Sequence, residues 1–211
     1  MRLDEVRADD TYQWLIGSSA RSAHDSFDIH VVASVLALAM TEANGSAREM
    51  SERMGLDRAA LMELIGAMFP DSMSDFAGLL DDTAIVIDAE EQSVRDILGM
   101  FSTGAGRLER YLAAVIARRC KSPHHLWQDL GLRDRDELSR LMKRHFARLA
   151  ERNQHNMKWK KFLYRMVCRS EGFSLCTAPV CSECSDFDSC FGAEDGESRL
   201  ARVAHAHEEV A

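Results

Sequence analysis

Three observations on this 211-residue chain predict an all-α fold. Ala, Leu, Met, Glu and Arg are common while Pro occurs only three times, so local propensity favours helix. Apolar residues recur at spacings of three and four behind residues that cap helices. No segment sustains period-two alternation. The expected architecture is a compact helical domain followed by an irregular C-terminal loop rich in cysteine.

Residues 1–22 are read as a partly ordered N-terminal segment and residues 23–169 as the helical domain. Asp25 and Ser26 begin the first core helix, whose Phe27, Val31, Val35 and Leu38 share a face; Gly45 offers its stop. Ser46 with Glu49 forms a capping-box pattern ahead of Met50 and Met54, and Gly55 closes that short helix. Asp57 opens another through Leu61, Leu64, Ile65 and Met68, ending before Pro70. Ala84 to Ile87 is a possible short extended piece. Asp88 with Glu91 starts a helix through Val94, Ile97, Leu98 and Phe101. A longer run carries Leu108, Leu112, Val115 and Ile116 towards Pro123, and Asp134 with Glu137 caps one through Leu138, Leu141, Met142, Phe146 and Leu149. Residues 170–194 form the cysteine-rich loop. Residues 195–211 are a charged tail, expected to be flexible, with few large apolar side chains.

The formal net charge of −8 opposes general nucleic-acid binding, because phosphate must be met by a basic surface. Ser46 to Met68 has the core pattern of a helix-turn-helix. Its second helix, however, would offer Arg58 alone against Asp57 and Glu63, so an ordinary helical hairpin is the better reading. The start of the chain lacks an apolar signal region, and Val31 to Met40 is short for a bilayer, which predicts a soluble cytoplasmic protein with no membrane partner. A reducing cytoplasm would keep the thiols available for metal. His24, His30, His124, His125, His145 and His155 are scattered and read mainly as structural or exposed. No Gly-rich phosphate loop or assignable Ser/His/Asp set is present, so nothing demands an enzyme.

Cys176, Cys181, Cys184 and Cys190 follow the pattern C-x4-C-x2-C-x5-C. Thiolates this close in sequence can converge on one centre from a single loop. Structural zinc fits four thiolates, although zinc ribbons usually present two short pairs, and here only Cys181 and Cys184 are two apart. An iron–sulfur cluster fits as well, since the first three cysteines share the order of plant-type ferredoxins, although the fourth is much nearer than in that family. Pro179 would stiffen the loop, while Phe187 and Phe191 could exclude water from the sulfurs. Cys168 is either a further thiolate or a small buried hydrophobe, and Cys120 is read as core.

Charge reverses just before this loop. On a helix through Arg169, Lys158, Lys161, Arg165 and Arg169 fall at i, i+3, i+7 and i+11 on one face. Phe162 and Met166 would face the body, flanked by Trp159. The stripe is either a solvated helix face or a cationic approach that steadies an anionic cluster and attracts molybdate.

His125-Leu126-Trp127-Gln128-Asp129-Leu130-Gly131-Leu132, Leu141-Met142, His145-Phe146 and Met157-Lys158-Trp159-Lys160-Lys161-Phe162 precede the four cysteines in that order. This combination resembles the NifQ family of nitrogen-fixation molybdenum donors, most strongly from about His125 to Glu194. The resemblance implies a non-enzymatic carrier of an iron–sulfur cluster, of 4Fe-4S or 3Fe-4S type, that incorporates molybdenum and delivers it for nitrogenase iron–molybdenum cofactor synthesis. It implies that Cys176, Cys181, Cys184 and Cys190 hold the metal. It also implies the cofactor-assembly scaffold and the nitrogenase iron protein as partners. The competing reading is a zinc-stabilised helical binding or regulatory module; a molybdenum-inserting enzyme is a third.

Overall fold

The computed structural model describes residues 8–170, apart from 45, 83 and 105, and residues 190–200, apart from 193 and 195. Among the described residues there are eleven α-helices and no strand. Helix α1 (Ala8–Gly17) lies where the sequence reading marks no helix; it buries Leu15 and packs against α2 (Ser26–Ala43). Tyr12 Oη joins the two helices through His30 Nδ1 at 2.9 Å.

Fourteen of the eighteen residues of α2 are buried, so this helix is the axis around which the others pack rather than one with a single apolar stripe. Its length and composition would suffice to cross a membrane, yet 78% of it lies inside the fold. Asp25 caps it by accepting from the Phe27 N–H at 2.9 Å. The expected stop at Gly45 lies outside the described residues; Asn44, at φ 45°, supplies the left-handed cap.

Helices α3 (Ala47–Met54) and α4 (Arg58–Met68) form the expected hairpin. Ser46 accepts from Glu49 N, Asp57 from Ala60 N, and Gly55 turns the chain at φ 64°. Arg58, the lone basic residue of the second helix in the helix-turn-helix reading, bonds the carbonyls of Ala77 and Leu80. A 3-10 turn at Pro70–Ser72 leads into α5 (Met73–Ala77). Residues 84–87 form no strand; the Val86 carbonyl accepts from Arg118 at 2.7 Å.

Helix α6 (Ala89–Met100) begins at the Asp88 cap, and Glu91 is buried between Arg95 and Arg118, the latter 2.9 Å away on α7 (Arg107–Cys120). One turn, α8 (Leu126–Asp129), precedes α9 (Arg135–His145), which Asp134 caps through the Glu137 N–H. The run expected to continue through Leu149 breaks at Phe146, whose backbone leaves the helical region (φ −133°, ψ 46°) while its side chain is fully buried. The chain resumes as α10 (Ala147–Ala150). Helix α11 (Trp159–Ser170) follows and packs on α6.

Gly131 fixes the placement of α8. Its φ of +70° suits glycine, and a Cβ there would lie 2.8 Å from the Ser34 carbonyl oxygen of α2. The turn after α8 therefore lies directly on the backbone of the central helix.

Candidate metal centre

Helix α11 leads to the cysteine segment with one face in the core. Trp159, Phe162, Leu163 and Val167 are buried and Met166 is half-buried, so Trp159 belongs to the packed face it was expected only to flank. The Trp159 and Phe162 rings meet edge-on at 5.8 Å, and the indole N–H reaches Ser139 Oγ at 3.3 Å. Lys161 and Arg169 are exposed, while Lys158 and Arg165 are half-buried.

Cys176, Cys181 and Cys184 lie outside the described residues, with all of 171–189. Cys190 is half-buried, and its carbonyl accepts from the Lys158 N–H at 2.8 Å, so this cysteine is anchored beside the start of α11. Cys120 and Cys168 are free thiols. Cys120 is core as expected: burial pushes its thiol up to about 12, which keeps it protonated and unreactive. Cys168 is half-buried. Among the described residues no group of three or more His, Cys, Asp or Glu side chains is arranged to hold a metal ion. By their chemistry, four thiolates at Cys176, Cys181, Cys184 and Cys190 would suit a soft metal or an iron–sulfur cluster.

A buried ionic cluster joins the two flanks of this segment. Asp129, at the end of α8, has no exposed surface. Its Oδ2 accepts from Lys160 Nζ of α11 at 2.6 Å, and its Oδ1 from Arg199 Nη1 at 2.9 Å. His124 Nδ1 lies 3.2 Å from the same Oδ1. Lys160 also donates to the Ser122 carbonyl at 2.6 Å. Arg199 reaches Glu42 of α2 at 2.6 Å, and Glu42 in turn pairs with Arg119 at 2.6 Å. Burial pulls the Arg119 guanidinium below its ordinary value, against the opposing pull of Glu42.

Further contacts hold the chain just after Cys190. Glu194 is half-buried with its side chain only 5% exposed, and its carboxylate lies 3.3 Å from His125 Nδ1 and 3.6 Å from Arg135 Nε. The Glu197 carbonyl accepts from Gln128 Nε2 at 2.9 Å. His125, Gln128 and Asp129 of one sequence motif therefore receive the chain that follows the cysteines, while Lys160 of the other binds Asp129 from the preceding side. Neither motif declares these roles in the sequence. A signal existed: Gln128 and Asp129 are polar residues inside the otherwise apolar run Leu126 to Leu132.

The remaining histidines behave as structural residues where they are buried. His145 Nε2 bonds Asp28 at 2.9 Å, beside Arg144 at 2.9 Å from the same carboxylate. Burial opposes the charged form of Asp28, but the bonds to His145 and Arg144 outweigh it and hold the carboxyl below its ordinary range. These side chains line a cavity of about 500 Å³ between the ends of α4 and α9 and the start of α7.

The sequence profile of the NifQ family matches residues 31–192, which run from within α2 to beyond α11 and include all four cysteines. The chain belongs to the NifQ family. It is 39% identical over 172 residues to a protein named NifQ homolog from Sinorhizobium fredii, covering 82% of this chain and 75% of that one. It is 36% identical over 152 residues to the NifQ protein of Azotobacter vinelandii, covering 67% and 78%, and 33% identical over 162 residues to that of Rhodobacter capsulatus, covering 76% and 87%. No solved structure matches this chain. Membership spans the helical body as well as the cysteine motif, so the body that receives the flanks of the motif belongs to the family match.

Proposed function

We propose that this protein is a cytoplasmic carrier that holds an iron–sulfur cluster able to take up molybdenum and donates molybdenum for synthesis of the nitrogenase iron–molybdenum cofactor. The observation that carries the reading is the family match across residues 31–192 together with the uninterrupted C-x4-C-x2-C-x5-C spacing inside it. Cys176, Cys181, Cys184 and Cys190 would hold the cargo; the cluster supplies sulfide and iron sites at which molybdenum can be incorporated. The helical body provides the fixed end, because Cys190 is bonded to the start of α11. The cations Lys158, Lys161, Arg165 and Arg169 form the approach for molybdate: Lys161 and Arg169 face solvent, and the whole set balances the negative charge that four thiolates bring. The chain is a donor rather than an enzyme, and its partners are the cofactor-assembly scaffold and the nitrogenase iron protein. A carrier must bind its cargo firmly and still release it, which suits ligands gathered in one short stretch of sequence.

Anaerobic purification followed by metal and acid-labile sulfide analysis tests this. Brown protein containing iron and sulfide is expected, with lower occupancy in each single Cys→Ala variant at positions 176, 181, 184 and 190 and little change in helical circular dichroism. Colourless protein with one zinc per chain would establish the zinc-module reading instead.

A further inference from the structure

We infer that Asp129 is a positioning residue for the cysteine segment, and that Arg199 is the arm through which the chain beyond that segment is held closed. The inference rests on the proposed function. Its geometry involves described residues only. One buried carboxylate binds α11 through Lys160 at 2.6 Å and the returning chain through Arg199 at 2.9 Å, so Lys160, ahead of residues 171–189, and Arg199, after them, meet at one point. Lys158 N to the Cys190 carbonyl, Gln128 to the Glu197 carbonyl and Glu194 to His125 lie along the same seam.

Charge counting separates the roles of the two residues. The cluster contains three cations, Arg119, Lys160 and Arg199, and two carboxylates, Glu42 and Asp129. Removing Arg199 leaves Arg119 on Glu42 and Lys160 on Asp129, so every remaining charge keeps a partner. Removing Asp129 leaves three cations, one buried and two half-buried, facing one carboxylate. Arg199 is therefore the arm that can be cut without disturbing the body. Tying Lys160 and Arg199 to one carboxylate closes a loop of chain that contains the ligands and removes part of the entropy they would otherwise lose on gathering round a metal, which makes clasp closure and cluster binding mutually favourable. Arg199 lies beyond the matched residues 31–192, so this contact is not part of the region on which family membership rests.

The test is Arg199→Met, with Arg199→Lys as the conservative variant and Asp28→Asn as a buried ion-pair control elsewhere. In metal-free protein, Arg199→Met is expected to speed hydrogen exchange of residues 190–200 by about tenfold relative to wild type while the thermal transition of the body is unchanged. In iron-loaded protein, a chelator should remove iron several-fold faster from Arg199→Met, with Arg199→Lys in between and Asp28→Asn as in wild type. Wild-type exchange at 190–200 together with wild-type iron loss in Arg199→Met would overturn the clasp. The exchange arm needs no metal, so it stands even where wild-type protein holds no cluster and the proposed function has failed.

Discussion

Gly131→Ala should cost the body several kilocalories per mole, because Gly131 seats α8, and with it Asp129, on the central helix. Alanine at φ +70° enters the left-handed region at about 1–2 kcal/mol, and its Cβ would lie 2.8 Å from the Ser34 carbonyl oxygen and 3.1 Å from the carbonyl carbon. Neither atom is the end of a flexible side chain, so relief requires α8 to lift from α2, an overpacking penalty of about 1–3 kcal/mol. The sum, roughly 2–5 kcal/mol, corresponds to a melting point about 5–15 °C lower for a chain of this size. Thermal unfolding followed by circular dichroism at 222 nm, with Gly99→Ala alongside, measures it. Gly99 lies within α6, and a Cβ there meets nothing within 4 Å, so that variant should be neutral or up to about 1 kcal/mol more stable. The lifted α8 should also raise hydrogen exchange of residues 190–200. A Gly131→Ala protein that melts within about 1 °C of wild type would refute the close approach of this turn to α2.

Replacing Lys158, Lys161, Arg165 and Arg169 together by uncharged residues should lower molybdenum loading while leaving iron content largely intact, with the difference shrinking as salt shortens the reach of exposed charge below about 8 Å. Equal molybdenum uptake by variant and wild type at low salt would leave the stripe a solvated helix face. Asp28→Asn should destabilise the body by about 3 kcal/mol at neutral pH by removing the partner of His145 and Arg144. Because the folded carboxyl lies below its ordinary value of 3.8, its contribution is present above that pH and is lost as pH falls, so wild-type and variant melting curves should converge below about pH 4. A thiol reagent at pH 8 should leave Cys120 unmodified in the folded protein and label it in denaturant, as peptide mass spectrometry would read, since burial keeps that thiol protonated.

Local chemistry made much of the helical body legible. Asp25, Asp57, Asp88 and Asp134 were readable as caps because a cap acts on an N–H two or three residues ahead, and all four accept that bond. The break at Phe146 was not readable, since the apolar period runs through it and only tertiary burial turns the chain there. Residues Ala8–Gly17 carry a weak helix signal for a related reason: much of what holds them is contact with α2. The cysteine motif was visible because its ligands are close in sequence. The ionic cluster was not, because Asp129 and Lys160 are 31 residues apart and Asp129 and Arg199 are 70 apart; spacing carries no information about such pairs. Lys160 in particular reads as one more cation beside Lys158 and Lys161, and only its position on the packed side of α11 turns it inward.

The central claim is that molybdenum leaves this protein for a cofactor-assembly partner. The most direct measurement loads the cluster with isotopically labelled molybdenum, removes free metal, and follows the label into purified assembly scaffold in the presence of the nitrogenase iron protein, against an equimolar molybdate control. The account predicts transfer that approaches one molybdenum per loaded cluster, exceeds the molybdate control, and disappears when the donor carries Cys→Ala at the four motif positions. Label that stays on the donor, or reaches the scaffold no faster than from free molybdate, would contradict it.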